Sequence, residues 1–329
     1  MNIYDISKKA GVSIATVSRV LNGSDKVSAA TRARVLAVIE QAGYMPNAFA
    51  RSLGLNSMQT VGMLCADASD VYLAQAVQYL ERELRENGYT AMLCCTGYAL
   101  KDKQAYLELL LRRNVDALFL VGSQFIESTK EGNAYLLQAA QKVPVFLLNG
   151  SLNGENVYSI LCDDEQATYE LTQKVLKAGA RSPVYLYRYF SDSSARKCAG
   201  FSRACEEAGL SGERCFACPG SFDAARAFLE QCPAGDFDAV LAADDGLAVG
   251  AVKYALAHKK RLPEDLQVAG YNNSLLSTCS TPELTTVDNR VEFLCATAVS
   301  LLMQVLQQKD VPQKSTYSAT VVPRETTLF

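Results

Sequence analysis

The chain has 329 residues, of which 49% are hydrophobic and 20% charged, and its formal net charge is −3. This length favours two or three compact units, and the composition excludes a disordered, collagen-like or coiled-coil chain. No apolar run approaches the roughly 18–20 residues that a membrane-spanning helix needs. Because the opening residues, MNIYDISKKAG, contain no apolar segment typical of a secretory signal, we expect a cytoplasmic protein without a membrane partner.

The charge is distributed unevenly. Residues 1–57 contain seven basic and three acidic side chains, a net charge of +4, which leaves −7 for the remaining residues. A small basic module joined to a larger acidic body suggests a nucleic-acid-binding head attached to a second domain. A chance fluctuation in a short segment would give the same asymmetry.

Three short helices are predicted in the basic segment. Gly11 separates the first two, and Ser13 and Ser28 are suitable N-caps for the second and third. The expected helical ranges are 4–10, 14–22 and 28–42. Their apolar faces comprise Ala10, Val12, Val17, Val20, Leu21, Val35, Leu36 and Ile39. This spacing predicts a helix-turn-helix, with a small three-helix packing module as the alternative.

The second helix would be the recognition helix of such a unit, with its N-terminal residues facing base edges in the major groove. Arg19 can form a bidentate pair with guanine, whereas Ile14 and Ala15 offer apolar contact to thymine methyl groups. Hydroxyl and amide side chains would bind phosphates and fix the register. These are Thr16, Ser18, Asn22, Ser28 and Thr31.

Residues 46–59 form the predicted linker. Asn47 can cap a short helix that Gly54 would end. A helix of one and a half turns is unstable in water. We therefore expect a conditional helix, ordered only when something packs on it.

From residue 60 onward, short apolar runs alternate with longer helical stretches. Strands are predicted at 61–66, 90–95, 117–121, 145–148, 184–187, 239–242 and 267–270. Helices are predicted near 72–87, 101–113, 133–142, 164–178, 195–208, 223–231 and 245–258. This alternation predicts an α/β body with parallel sheets flanked by helices. Its many units favour two lobes, with a ligand cleft at the carboxyl ends of the strands.

Few residues favour catalysis or metal binding. The eleven cysteines include one Cys-x-x-Cys, Cys215 and Cys218, and the only histidine, His258, is distant in sequence. We interpret these cysteines as buried or loop residues rather than a zinc or redox site. The acidic run 163–165 is interpreted as a capped helix start. Because the glycine-rich and nucleophile-elbow motifs of α/β enzymes are missing from the sequence, we expect no enzyme, cofactor or metal.

Four stretches of the head carry a family resemblance. They are YDISKKAGVS at residues 4–13, TVSRVLN at 16–22, VSAATRARV at 27–35 and GYMPN at 43–47. In sequence and spacing they resemble the head of the LacI/GalR family of bacterial transcription regulators. Ala50 and Leu53 continue the match, and Ser7 stands where the family usually has Ala.

The resemblance extends over essentially the whole chain, through VGML at 61–64, PVFLLN at 144–149, AGF at 199–201 and VAGYN at 268–272. It implies a two-lobed body similar to periplasmic sugar-binding proteins. The implied domains are a helix-turn-helix at 1–45, a hinge helix and linker at 46–59, and an effector-binding and dimerisation body at 60–329. The N-lobe would take about 60–160 and 290–318, and the C-lobe about 161–289 and 319–329.

The family implies a dimer whose two heads bind a pseudo-palindromic operator in double-stranded DNA. It adds Tyr4, Ser13, Asn47, Ala50 and Leu53 to the DNA-binding residues, with Leu53 wedged into the minor groove. No heptad repeat follows Arg324, so we expect a homodimer rather than a tetramer.

The family also implies a small-molecule effector in the cleft. By position, its binding residues would be Tyr72, Leu73, Asn149, Arg196, Lys197, Phe222, Asp244 and Asn272. Three positions depart from the common pattern: Lys197 stands where Arg is common, Asn272 where Asp is common, and Asp244 where Asn is common. We expect a repressor controlled by a sugar or sugar-like effector. The alternatives are a purine, a nucleoside or another metabolite as effector, or a solute-binding protein with the same body.

Overall fold

The computed structural model describes residues 2–21, 24–43, 57–220 and 222–329. The chain divides into two compact units, one comprising residues 1–60 and 114–116, the other residues 61–113 and 117–329. We call residues 2–43 the head and the second unit the body.

The head contains three helices, α1 (Ile3–Ala10), α2 (Ile14–Leu21) and α3 (Ala29–Gln41). Gly11 ends α1 with a φ of 64°, a left-handed conformation that glycine adopts without steric cost. The Ser13 hydroxyl accepts a hydrogen bond from the Thr16 amide at 3.2 Å, and Ser28 caps α3 through the Thr31 amide at 3.3 Å. The helix-turn-helix pattern predicted for this segment is therefore present.

The apolar core of the head is small. Its buried members are Ile6, Ala10, Val17, Val20 and Val35, with Val12, Val27, Val38 and Ile39 packed around them. The prediction for Leu36 is wrong, since 47% of this residue is exposed. The core face of α3 uses the positions of Val35, Val38 and Ile39, which leaves Leu36 on the outer side.

The first half of the body alternates strands and helices. In chain order these are β1 (Thr60–Cys65), α4 (Val71–Glu86), β2 (Thr90–Cys95), α5 (Leu100–Arg112), β3 (Ala117–Val121), a 3₁₀ turn (Ser123–Phe125), α6 (Ala134–Ala140), β4 (Val145–Leu148) and β5 (Val157–Cys162).

The second half continues with α7 (Asp164–Lys177), β6 (Pro183–Tyr187), α8 (Asp192–Glu207), β7 (Cys215–Ala217), α9 (Phe222–Leu229), β8 (Ala239–Ala242), α10 (Asp245–Ala257) and β9 (Gln267–Ala269). It ends with α11 (Leu275–Cys279), β10 (Thr286–Asp288), α12 (Val291–Leu306), β11 (Lys314–Tyr317) and β12 (Thr320–Val322).

Two sheets organise the body. The larger has the order β11-β5-β4-β3-β1-β2, and the smaller has the order β7-β6-β8-β9. The pairings from β11 to β1 and throughout the smaller sheet are parallel, while β10 and β12 form a separate antiparallel pair. β3 and β4 are apolar throughout and fully buried, and β1 is apolar and buried after Thr60, as expected where helices cover both faces. The predicted α/β fold with parallel sheets in two lobes is confirmed.

Helices α7 and α8 approach each other closely at Gly200. A Cβ atom at this position would lie 2.1 Å from the Glu165 carbonyl oxygen and 2.9 Å from the Tyr169 nitrogen. Only glycine fits this approach, which brings the N-terminal halves of the two helices together below the cleft.

Several residues singled out for other chemistry have structural roles. All eleven cysteines are free thiols, with Cys218 buried and Cys215 on β7. Asp163 caps α7, as interpreted from the sequence, and His258 lies 3.0 Å from Glu230. Among the described residues, no helix combines the length and apolar content required to cross a membrane.

Candidate functional site

Helix α2, the predicted recognition helix, has most of the predicted base-contacting side chains at its exposed surface. Ile14 is 39% exposed, Ala15 and Arg19 are exposed, and Thr16 and Ser18 are half-buried. Tyr4, on α1, is 61% exposed. Val17 and Val20 turn inward to the core, which leaves Ile14, Ala15 and Arg19 on the exposed side of α2.

The hydroxyl groups at the helix starts are already organised within the head. Ser13 Oγ lies 2.9 Å from Thr16 Oγ1, and Ser28 Oγ donates to Thr31 Oγ1 at 2.9 Å. Hydroxyls at a helix N-terminus, next to free backbone amides, suit contact with a phosphate. The predicted contacts Asn22, Asn47, Ala50 and Leu53 lie outside the described residues.

The body contains a cleft at the carboxyl ends of its parallel strands, with about 720 Å³ not filled by atoms. Six of the strands are followed within a few residues by polar side chains that line the cleft. In strand order these are Asp70 after β1, Ser123 and Gln124 after β3, Asn149 after β4, Arg188 after β6, Asp244 after β8 and Asn272 after β9.

Asn149 is fixed at one wall of the cleft. Its backbone has a φ of 62°, and its side-chain amide donates a hydrogen bond to the Tyr72 hydroxyl. Its side-chain oxygen accepts from the Cys162 amide at 3.4 Å. Burial raises the pKa of Tyr72, so this phenol stays neutral and able to donate. Leu73, 1% exposed, supplies apolar surface to the same wall.

Lys197 and Arg196 follow each other on α8 but have different surroundings. Lys197 lines the cleft, its Nζ donating to the Ala243 carbonyl at 3.0 Å and lying 3.6 Å from the centre of the Tyr271 ring. Burial lowers the pKa of its ammonium group. Arg196 does not line the cleft.

Arg196 belongs to a partly buried polar cluster around Asp164. Its guanidinium pairs with Asp164 at 3.0 Å and with Asp192, and donates to the Asn149 carbonyl at 3.3 Å. Asp164, 1% exposed, also accepts from the Tyr271 hydroxyl at 2.8 Å. This geometry gives Arg196 a role in holding the wall that carries Asn149.

Phe222, Asp244 and Asn272 lie on the side of the cleft formed by the smaller sheet. Phe222 borders an adjoining pocket and is 37% exposed. Asn272, with a φ of 97°, accepts a hydrogen bond from the Asn289 amide at 3.0 Å. Asp244 caps α10, accepting from the Leu247 amide at 2.9 Å, and borders both pockets.

The sequence analysis missed four prominent residues of the cleft: Asp70, Tyr98, Arg188 and Tyr189. Arg188 forms a bidentate ion pair with Asp244, with Nε–Oδ2 and Nη2–Oδ1 distances of 2.8 and 3.0 Å. The rings of Tyr98 and Tyr189 lie 4.9 Å apart between centroids. Arg188 directly follows a predicted strand, so the rule that ligands bind beyond strand ends could have identified it.

Comparison with known proteins agrees with this architecture. The family model for bacterial regulatory proteins of the lacI family matches residues 2–47, and that for the periplasmic binding protein-like domain matches residues 172–327. The structure of the Lac repressor dimer bound to operator and the anti-inducer ONPF has a TM-score of 0.88 at 23% identity, covering 100% of this chain and 99% of that chain.

Two curated relatives match this chain over almost their whole length. The HTH-type transcriptional repressor PurR of Vibrio campbellii is 26% identical, with 94% of this chain and 92% of that protein covered. An HTH-type transcriptional regulator of Lachnoclostridium phytofermentans is 47% identical over 333 residues, covering 100% of both chains. With its helix-turn-helix head and its periplasmic-binding-protein-like body, the chain belongs to the LacI family of bacterial regulatory proteins and is a transcriptional regulator.

Proposed function

We propose that the protein is a repressor that binds a pseudo-palindromic operator as a homodimer and is controlled by a small molecule in the cleft of the body. The observation that carries this proposal is the exposed face of α2, where Ile14, Ala15 and Arg19 project outward from a basic head. A protein that acts on operator DNA works in the cytoplasm. The basic head also argues against a solute-binding protein with the same body.

The proposed DNA contacts fall into two classes. Ile14, Ala15 and Arg19 would contact base edges in the major groove. The remaining residues would contact phosphates or the minor groove: Tyr4, Ser13, Thr16, Ser18, Asn22, Ser28, Thr31, Asn47, Ala50 and Leu53. Because phosphate contacts carry no sequence information, discrimination between sequences should depend mainly on Arg19.

To test this, an operator is first selected from random DNA duplexes with the wild-type protein. The affinity of the Arg19→Ala variant for that operator is then measured. We expect its preference for the operator over a scrambled duplex to fall about 100-fold or more, since each of two heads loses a bidentate base contact. Binding would be measured at several salt concentrations. Arg85→Ala, which removes an exposed arginine of the body, is the control. Retained discrimination by Arg19→Ala would refute this assignment of the recognition helix.

For the effector we propose a neutral, hydroxyl-rich molecule such as a sugar. The cleft supports this because hydroxyl, amide and carboxylate groups converge there, including Tyr72, Asn149, Asp244 and Asn272. A purine or nucleoside is the second candidate, favoured by the Tyr98 and Tyr189 rings, which offer aromatic faces at the same cleft.

Thermal shifts with neutral sugars, polyols, nucleosides and purines separate these two classes. A ligand at about 100 times its dissociation constant adds roughly 2.7 kcal/mol to the free energy of unfolding, which such a measurement detects. Stabilisation by a sugar supports the first class, and stabilisation by a purine or nucleoside supports the second. If no member of the panel stabilises the protein, the effector class proposed here is wrong.

A further inference from the structure

The two cationic side chains that line the cleft among the described residues already have oxygen partners. Arg188 is held in a bidentate pair by Asp244. Lys197 donates to a backbone carbonyl and rests on the face of the Tyr271 ring. The charge of Arg188 is therefore compensated by a paired carboxylate. The Lys197 ammonium is held by uncharged partners, and the Asp164 and Asp244 carboxylates also interact with it electrostatically.

Three aspartate carboxylates interact with the guanidinium group of Arg188. In addition to Asp244, the carboxylates of Asp70 and Asp67 interact electrostatically with Arg188. Asp70 lines the cleft and Asp67 borders the adjoining pocket. Burial, with a further contribution from the Asp244 carboxylate, raises the pKa of Asp70. An anionic ligand would thus approach Arg188 next to carboxylates that repel it.

The protein's own carboxylates also occupy two helix N-termini that face this region. Asp70 Oδ1 accepts from the Leu73 amide at 3.0 Å at the start of α4, and Asp244 Oδ1 accepts from the Leu247 amide at 2.9 Å at the start of α10. A helix N-terminus is an ordinary binding place for phosphate, because its amides and dipole favour negative charge. Here both places are filled by aspartate.

We infer that the cleft selects neutral hydroxylated effectors against phosphate esters and carboxylates, and that Arg188 and Asp244 are the residues that determine this selectivity. A hydroxyl group can accept from Arg188 and donate to a remaining lone pair of Asp244 without disturbing the pair. A phosphate must instead compete with Asp244 for Arg188 and approach Asp70 and Asp67 against charge repulsion. This inference rests on the proposed effector site.

The central test uses inorganic phosphate on the full chain, compared with sodium chloride at equal ionic strength. We expect no specific stabilisation of the wild-type protein. In Asp244→Asn the caps and shape persist, because Asn is also a good N-cap, and Arg188 loses its pairing charge. This variant should gain about tenfold or more in phosphate affinity, measured by thermal shift and isothermal titration calorimetry. Adding Arg188→Gln should abolish the gain.

Asp70→Asn serves as the second variant if Asp244→Asn does not fold, and it should show a smaller gain of the same kind. Phosphate binding to the wild type that Arg188→Gln removes would overturn the inference, as would the absence of a gain in folded Asp244→Asn. These outcomes depend neither on operator binding nor on knowing the effector. Failure of the inference can therefore be distinguished from failure of the proposed function.

A second arm compares matched probes on the wild type: glucose with glucose 6-phosphate, ribose with ribose 5-phosphate, and adenosine with adenosine monophosphate. We expect no phosphorylated member to stabilise the protein more than its neutral partner. If any does so beyond the effect of ionic strength, the selectivity assigned to Arg188 and Asp244 is wrong.

Discussion

Asp245 is a buried carboxyl group at the first position of α10, directly after the cleft residue Asp244. It is 1% exposed and accepts hydrogen bonds from the amide and hydroxyl of Ser274, both at 2.7 Å, and from the Thr286 hydroxyl. These bonds join α10 to α11 and β10. Burial nevertheless dominates and raises the pKa of Asp245 to about 6.

This shift predicts a specific pH dependence of stability. Because the folded-state pKa lies above the ordinary value of 3.8, the folded state binds the proton more tightly than the unfolded chain. The stabilisation is therefore complete below about pH 4 and is lost as the pH rises through about 6, with an upper limit of about 3 kcal/mol. Urea unfolding of the wild type and Asp245→Asn between pH 4 and pH 7 measures this difference.

The wild-type free energy of unfolding should fall relative to that of Asp245→Asn across this range. Asp223→Asn, which changes an aspartate whose side chain is 71% exposed, is the matched control and should follow the wild type. Parallel pH profiles for the wild type and Asp245→Asn would contradict the predicted role of this carboxyl group.

At the scale of elements, β2 exposes an apolar face at the edge of the body, and α5 also exposes apolar side chains. β2 is the edge strand of the larger sheet, and Met92 and Leu93 on it are 36% and 40% exposed. Tyr106 and Leu109 on α5 are 38% and 43% exposed. An apolar edge strand left open is prone to pairing with another chain. We propose that this face forms part of the homodimer contact.

Leu93→Lys should weaken that contact, because it places a charge on an apolar edge strand. We expect a shift from dimer to monomer in sedimentation at micromolar concentration. Operator affinity should fall about 100-fold or more, since two linked heads gain from a high effective concentration that a single head lacks. Leu328→Lys, at an exposed leucine elsewhere in the body, is the control. A dimer that persists in Leu93→Lys would refute this location of the interface.

The elements also differ in how well the sequence predicts them. The strands at 117–121, 145–148 and 239–242 have the predicted bounds, because a buried parallel strand is a continuous apolar run between turn residues. The exposed edge strand at 90–95 also has the predicted bounds. β7, β10 and β12 have three residues each, too few for a periodic pattern. The long helix α12 has no counterpart among the predicted helices, although its buried residues follow helical spacing: Val291, Leu294, Cys295, Ala298, Val299 and Leu302.

The cleft was predictable in position but not in its electrostatics. The carboxyl-end rule and the family resemblance place Asn149, Asp244 and Asn272 at its wall. The pairing of Arg188 with Asp244 joins residues 56 positions apart, and nothing in the local sequence indicates it. The same holds for Arg196, which the resemblance assigned to the effector and which the fold directs toward Asp164.

At the scale of the whole molecule, both sheets of the body depend on segments late in the chain. β11 adds a parallel strand to β5 at the edge of the larger sheet. The Thr326 hydroxyl, fully buried, accepts from the Thr285 amide at 2.9 Å and donates to the Val268 carbonyl at 2.7 Å beside the smaller sheet. Neither lobe is therefore complete without residues beyond 313.

Because both sheets need late segments of the chain, the head can fold before the body during synthesis on the ribosome. Among the described residues, the core of the head contains none after Ala42, whereas the body requires the segment 314–327. At about 5–20 residues per second, the head is available roughly 15 to 55 seconds before the body can close. During that interval the nascent chain would expose the proposed DNA-binding surface without a partner or an effector site. Under the proposed function a single head would bind weakly, so newly made chains would acquire tight operator binding only together with the body.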